Sequence, residues 1–279
     1  MLVNLNDIVK LAEAGNFALG TFNGPNLESI KAVINAAEEL DQPVVLTHAQ
    51  LHEDWNLCTI DEIGPLMLFM ADKAKVPVCV HLDHGTDLDY IKRGLEIGFT
   101  SVMYDGSAKS LEENAANTSI VVKMAHAFDA SVEAEVGSMG ARDLGKGNGG
   151  DGSIHTDPEV AKWFVEQTGC DALACAFGTV HGLYTKEPKL DFDRVRKIRE
   201  AISVPIVMHG GSGVSDEDYE KVIEAGVRKI NYYTYMGKAG ANAVAAMEDK
   251  TYFHDMAKVA ELAMKEDVKR AISVFSRLI

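Results

Sequence analysis

Short apolar runs recur along this chain, each followed by a longer stretch of helical periodicity. The runs are FALGTFN (17–23), PVVLTHA (43–49), VPVCVHLDH (76–84), SVMYDG (101–106), SVEAEVG (131–137), ALACAFG (172–178), PIVMHG (205–210) and KINYYT (229–234). Runs this short suit strands buried on both faces, the condition of a parallel sheet wrapped in helices. Between them lie stretches such as NLESIKAVINAAEEL, LDYIKRGLEIG and DPEVAKWFVEQTG; several of the helical stretches open with Asn, Asp or Ser and close with Gly, the expected helix start and stop chemistry. Eight strand–helix units in 279 residues predict an α/β fold of the (β/α)8 TIM-barrel type. A doubly wound open sheet competes, but it usually carries GxGxxG after its first strand, and GTFNGP is a different pattern. No Pro-, Ser- or charge-rich linker divides the sequence, so residues 1–279 are expected to form one barrel domain. The stretch 252–279 reads as a C-terminal helical extension that covers the barrel or mediates contacts between copies.

Net charge is −15, which argues against a nucleic-acid or anionic-membrane surface. An anionic substrate then has to be met by local devices such as backbone amides, helix N-termini or a metal. Cys58, Cys79, Cys170 and Cys175 form no CxxC pair, and three of them lie in or beside apolar runs, so buried thiols in a reducing compartment are expected. The N-terminal segment reads as an acid-containing amphipathic helix, without the features of a signal peptide. With no apolar run long enough to span a membrane, the sequence predicts a cytoplasmic protein.

The segment HLDHG (81–85) ends the third run with two histidines and an aspartate, each in need of a partner once buried. In a barrel of this kind the active site is built at the C-terminal ends of the strands. His84, His181 (in GTVHG) and His209 (in HGGSG) all fall there, each followed by glycine. Three imidazoles suit zinc, and three protein ligands leave a position open for a substrate oxygen. Alternation places His81 with Asp83 on one face, and Glu133 with Glu135 on another. Of the remaining histidines, His48 reads as a rim residue, His81 as interior, and His52, His126, His155 and His254 as surface or loop residues. HGGSG and the stretch after the eighth run resemble the places where barrels hold phosphate, through amides that glycine leaves accessible.

With those motifs in place, the chain resembles the class II, zinc-dependent ketose-bisphosphate aldolases, in particular the fructose- and tagatose-bisphosphate branch. GTFNGPNLES, HLDHG, SVMYDGS, VEAEVG, GTVHGLY, HGGSG and KINYYT occur in the family's order, nearly end to end. The resemblance implies reversible aldol cleavage of a phosphorylated ketose, a 1,6-bisphosphate or a 1-phosphate, to dihydroxyacetone phosphate and an aldehyde. The implied route runs through a metal-stabilised enediolate. It makes His84, His181 and His209 the ligands of one catalytic Zn2+, with Asp105 and Glu135 around it or at an alternative metal position, and Asp83 the acid–base residue. Asn23, Gly182, Gly210, Gly211, Ser212, Asn231, Tyr232, Tyr233 and Thr234 become phosphate and substrate positions, with a monovalent cation such as Na+ or K+ nearby. The Gly-rich stretch 137–156 corresponds to the family's lid. Relatives of this kind often form homo-oligomers, a homodimer or a homotetramer.

Three departures mark the surroundings of the second substrate. Where family lids carry a glutamate that moves the carbon-bound proton, this chain reads GARD, leaving Asp143 as the candidate. The eighth run is NYYTY, with tyrosines in place of small or acidic residues, and the second ends in LTHAQLHEDW instead of a serine and a glycine. The tyrosines have a second explanation as strand formers packing against neighbours. Two further functions stay open: a metal-dependent hydrolase, with Asp83 activating water, and a catalytically altered sugar-phosphate-binding barrel.

Overall fold

The computed structural model of the chain describes residues 1–137, 155–184 and 186–279. Nine parallel strands, β1 (Leu2–Val3), β2 (Leu19–Asn23), β3 (Val44–Ala49), β4 (Val78–Gly85), β5 (Ser101–Tyr104), β6 (Ser131–Val136), β7 (Ala172–Cys175), β8 (Ile206–Met208) and β9 (Val227–Tyr232), form its sheet among the described residues. Strands β2 to β9 pair in sequence, and β2 pairs back onto β9, which closes an eight-stranded parallel barrel. The fold is therefore the (β/α)8 TIM barrel that the alternating runs predict. The short strand β1 is an addition, pairing with the start of β4 through Leu2 opposite Val78 and Val3 opposite Cys79, below the point where β5 begins its own pairing at His81.

Side-chain alternation sorts each strand into an inward and an outward set. The inner set changes character along the barrel axis. At the N-terminal end, Leu19, Val45, Cys79, Ala172, Ala174 and Val207 pack together. They are closed off from below by Leu5, Ile8, Val9 and Ala12 of helix α1 (Leu5–Gly15). That helix is the amphipathic N-terminal segment, and it acts as a plug. Further up, the inner set turns polar with Thr21, Thr47, His81, Ser101, Glu133 and Lys229, every one buried. Apolar packing at one end and buried charge at the other fixes which end carries chemistry.

The crossover helices, which include α4 (Ile60–Lys73), α6 (Leu111–His126), α8 (Phe192–Ala201) and α9 (Asp216–Ala225), cover the outward set. Their starts follow the expected cap chemistry: Asn26 and Ser29 form a reciprocal capping box on α2 (Leu27–Leu40), Asp87 caps α5 (Leu88–Ile97) and Asp157 caps α7 (Pro158–Thr168). Gly98 and Gly169 end α5 and α7 in the left-handed conformation. The C-terminal extension is one long helix, α11 (Phe253–Phe275), which packs on α2 and on α10 (Thr234–Ala245). Its Phe275 is fully buried, edge-on to Tyr219 at 4.8 Å and to Tyr232 at 6.0 Å. Lys265 and Lys269 bind Glu39 on α2 across the same seam.

That packing corrects one site assignment. Tyr232 was expected at the substrate, but it lies on the outward set of β9 between inward Asn231 and Tyr233. It is 1% exposed and packs on Phe22 and Phe275 beneath α11. Strand parity decides the matter, since neighbours on a strand face opposite ways. Cys79, Cys170 and Cys175 are buried free thiols, and burial pushes Cys79 and Cys170 up to about 12. Asp143 and most of the Gly-rich stretch, 138–154, lie outside the described residues.

Candidate active site

Strict alternation would turn His84 away from the site that Asp83 faces. The structure resolves this with a register irregularity between Leu82 and Gly85 in the β4–β5 pairing, and His84 adopts φ 50°. A non-glycine residue in that left-handed region costs about 1–2 kcal/mol, and such strain persists where the surroundings over-determine it. Bulges re-aim side chains in this way. Gly85 permits it, because a Cβ there would lie 2.8 Å from the Met103 carbonyl oxygen on the neighbouring strand. As a result Asp83 and His84, adjacent in sequence, both face the mouth of the barrel.

His84, His181 and His209 meet there. Their ring centroids are 4.6–5.8 Å apart, and one ring nitrogen from each lies within 4.8 Å of the others. Two of the rings are oriented from behind by carboxylates. Asp105 Oδ2 accepts from His84 Nδ1 at 2.8 Å, and Glu133 Oε1 accepts from His209 Nε2 at 2.7 Å. The ring protons are thereby placed on the outer nitrogens, which leaves the lone pairs of His84 Nε2 and His209 Nδ1 facing each other at 3.1 Å. Burial also pushes the His209 imidazole down, favouring its neutral form. Two acceptors at that distance repel unless a cation, or an added proton, lies between them. Carboxylate-backed imidazoles around a common point are the arrangement by which proteins hold transition metals.

The carboxylates around the histidines fit the same requirement. Burial, with Asp83 and Glu133 nearby, pushes the Glu135 carboxyl up to about 8; a cation would relieve that. Its Oε2 lies 3.6 Å from His209 Nδ1, and Glu135 also groups with His84 and Asp105 as possible ligands. Asp105 is committed to orienting His84 with one oxygen and to Ser107 with the other, at 2.7 Å from the hydroxyl. Deeper in, Glu133 Oε2 pairs with the buried Lys229 ammonium at 3.0 Å, and Lys229 donates to Asn231 Oδ1 at 2.6 Å. Asn231 in turn donates to Asp83 at 3.3 Å. Burial alone would raise the Asp83 carboxyl, but the Lys229 ammonium and positive charge in the histidine cluster, whether on the rings or on a bound cation, hold it well below the usual carboxylate range. The inward Asp83 is therefore ionised, positioned by Asn231 and beside the three histidines.

The loops after β7 and β8 are stapled together. Tyr184 Oη donates to the Gly210 carbonyl at 2.8 Å and accepts from Val180 N–H at 3.1 Å. Sequence reading had not singled out Tyr184. Among the expected phosphate positions, Ser212 Oγ accepts from the Tyr233 and Thr234 amides at 2.9 and 3.0 Å, at the start of α10. Gly211 gives its amide to the Asn231 carbonyl at 3.0 Å, so it contributes small size and not a free donor. Gly182, at φ 95°, has open space where a Cβ would project. Asn23, at the end of β2, is engaged by a histidine that sequence reading left on the surface. His52 is 2% exposed, on the short helix α3 (Gln50–Asp54), with Nε2 3.3 Å from Asn23 Nδ2 and its ring against Tyr233.

A sequence profile for the family described as Fructose-bisphosphate aldolase class-II matches residues 3–277. The chain belongs to that family. It is thus an aldolase, a carbon–carbon lyase, in a family that is generally metal-dependent. This class II aldolase is 38% identical over 260 residues to the Escherichia coli K12 protein YdjI, itself described as uncharacterized, covering 93% of this chain and 92% of YdjI. The X-ray structure of the YdjI aldolase from that strain has a TM-score of 0.88 at 36% identity, covering 99% of this chain and 97% of the other. A crystal structure from Coccidioides immitis assigned as a fructose-1,6-bisphosphate aldolase gives 0.87 at 28% identity, covering 99% of both chains. No helix among the described residues of this aldolase is long and apolar enough to cross a membrane.

Proposed function

We propose that this aldolase carries out reversible cleavage of a phosphorylated ketose, a 1,6-bisphosphate or a 1-phosphate, to dihydroxyacetone phosphate and an aldehyde, with Zn2+ on His84, His181 and His209. The observation that carries the metal assignment is the pair of facing lone pairs on His84 and His209, each imposed by a carboxylate behind the ring. Three neutral imidazoles fit zinc, and three protein ligands leave room for substrate. When bound, the ion supplies Lewis acidity toward the ketose carbonyl and hydroxyl oxygens.

The protein's own groups do the rest. Asp83, ionised and held by the Asn231 amide, takes the hydroxyl proton as the carbon–carbon bond breaks and returns it to the aldehyde oxygen during condensation. Gly182, Gly210 and Ser212, the last hydrogen-bonded to the Thr234 amide at the start of α10, would surround the phosphate, and amides of these loops would hold it without a large positive surface. That arrangement reconciles a phosphorylated substrate with a net charge of −15. The buried Lys229–Glu133 pair sets the orientation of Asn231 on one side and His209 on the other.

The test is aldol cleavage by the zinc-loaded protein across fructose, tagatose, sorbose and psicose 1,6-bisphosphates and several ketose 1-phosphates, with dihydroxyacetone phosphate detected as product. Release that disappears both in Asp83→Ala and on chelation supports the reading. Hydrolytic release of phosphate without a carbonyl pair would point to the hydrolase instead, and zinc binding with silence across the panel to the binding protein.

A further inference from the structure

The loop after β3 is one of the departures from the family pattern in sequence, and it builds a structured wall against Asn23 and Tyr233. Helix α3 is fixed at both ends. Gln50 Oε1 accepts from the Thr86 amide at 2.9 Å, just beyond the HLDHG segment. Glu53 accepts from Tyr90 Oη at 3.1 Å, from Arg93 at 3.2 Å and from the Ile60 amide at 2.8 Å. His48, fully buried on β3, hydrogen-bonds Tyr90 Oη at 2.9 Å and sets its ring edge-on to His52 at 5.4 Å. His52 thus has a polar network behind it through His48, and it meets Asn23 and Tyr233, at the C-terminal ends of β2 and β9, on its other sides.

His52 itself is left with one unused group. As the Asn23 amide is oriented in this structure, its nitrogen donates to His52 Nε2, so the ring proton sits on Nδ1. That Nδ1 is buried and has no hydrogen-bond partner. Burial pushes His52 down to about 4, against the pull of the nearby Asp83 carboxylate, so the ring is a neutral donor at working pH. An unpaired N–H in a 2% exposed side chain is costly, on the order of 1–3 kcal/mol, unless a ligand completes it. The flanking groups, Asn23 and Tyr233, are themselves at the mouth of the barrel.

We propose that His52 is a specificity-determining residue of this site, donating its Nδ1–H to the hydroxyl on the carbon next to the aldehyde carbonyl. The inference rests on the aldolase reading above, in which Asp83 serves the carbonyl oxygen itself. The His52 ring lies close enough to feel the Asp83 charge, and the next oxygen along the aldehyde is assigned to its donor. A site built around such a donor discriminates strongly against an analogue that lacks the matching hydroxyl, because the buried group is left unpaired again.

The experiment is condensation of dihydroxyacetone phosphate with glycolaldehyde and with propanal, which replaces the hydroxyl by a methyl group. It uses zinc-loaded wild type, His52→Phe and His52→Asn. Wild type prefers glycolaldehyde in kcat/KM. His52→Phe keeps a ring but loses the donor, and reduces that preference by about tenfold or more. His52→Asn places an amide N–H where Nδ1 stood and recovers most of it. An unchanged preference in His52→Phe, or equal loss of both aldehydes in the two variants, would overturn the assignment. Deuterium exchange into dihydroxyacetone phosphate by wild type separates the two levels of the claim. Exchange with an unchanged preference removes only the role of His52, whereas no exchange and no condensation removes the aldolase reading and this inference with it.

Discussion

Replacing Gly210 by alanine tests how tightly two of the proposed metal ligands are coupled. Gly210 follows His209 and has φ 64°, and a Cβ there would sit 2.4 Å from the Val180 carbonyl oxygen and 2.7 Å from its carbon. Val180 precedes His181, and Tyr184 ties Val180 and Gly210 to each other. Relief by moving one loop away would therefore break the staple and shift a ligand. The left-handed backbone costs alanine about 1–2 kcal/mol, and overpacking typically about 1–3 kcal/mol more. The sum, roughly 2–5 kcal/mol, should lower Tm by roughly 3–9 °C in a chain of 279 residues. Displacement of a ligand or its support should weaken zinc by about 10- to 100-fold. Gly169→Ala is the control: its φ is 67° with nothing within 4 Å of the added atom, so it carries the backbone cost alone. Thermal unfolding and chelator competition on both variants give the comparison. If Gly210→Ala matched Gly169→Ala in stability and kept wild-type zinc affinity, the coupling would be refuted.

Other perturbations have equally direct outcomes. Asp83→Ala should lower kcat by about 10²–10⁴-fold while zinc content stays at one per chain, read by turnover and metal analysis. Tyr184→Phe leaves the Val180 amide and the Gly210 carbonyl without their shared partner, and should destabilise by about 1–3 kcal/mol in urea unfolding. Removing the Lys229 charge by Lys229→Met strands the buried Glu133 carboxylate and should cost about 3–5 kcal/mol, far more than a surface lysine. Acid should act through His48 and His52. Burial holds them at about 3 and about 4, below the ordinary histidine value of about 6.5, so the unfolded chain binds more protons as the pH falls through that window. Their stabilisation is present above 6.5 and is lost progressively below it, by about 1.4 kcal/mol per group per pH unit. Urea unfolding from pH 7 to 4.5 should show this slope, and His52→Phe should make it shallower; an unchanged slope in the variant would count against the burial of His52 as a neutral ring.

The barrel was legible because its strands are buried on both faces and so stand out as continuous apolar runs between capped helices. Strand β1 was not, since two residues carry no periodicity. The three clustered histidines could be found from their places at strand ends, but the inward turn of His84 could not. Alternation from Asp83 points it the wrong way, and only the bulge at Gly85 corrects it. The tyrosines of the eighth run were separable in principle. Lys229, Asn231 and Tyr233 share parity, and once Asn231 is placed inside, Tyr232 must face the helices. His52 was hidden for a different reason. Its burial depends on a five-residue helix held by Thr86, Tyr90 and Arg93, contacts distant in sequence that leave no local pattern.

The most direct measurement is a zinc titration of dihydroxyacetone phosphate release, using wild-type protein stripped by a chelator and a ketose phosphate that it cleaves. A cation on His84, His181 and His209 predicts no release from the stripped protein, then a linear rise that levels off at one zinc per chain. Full activity in protein verified to be metal-free would contradict the account at its centre.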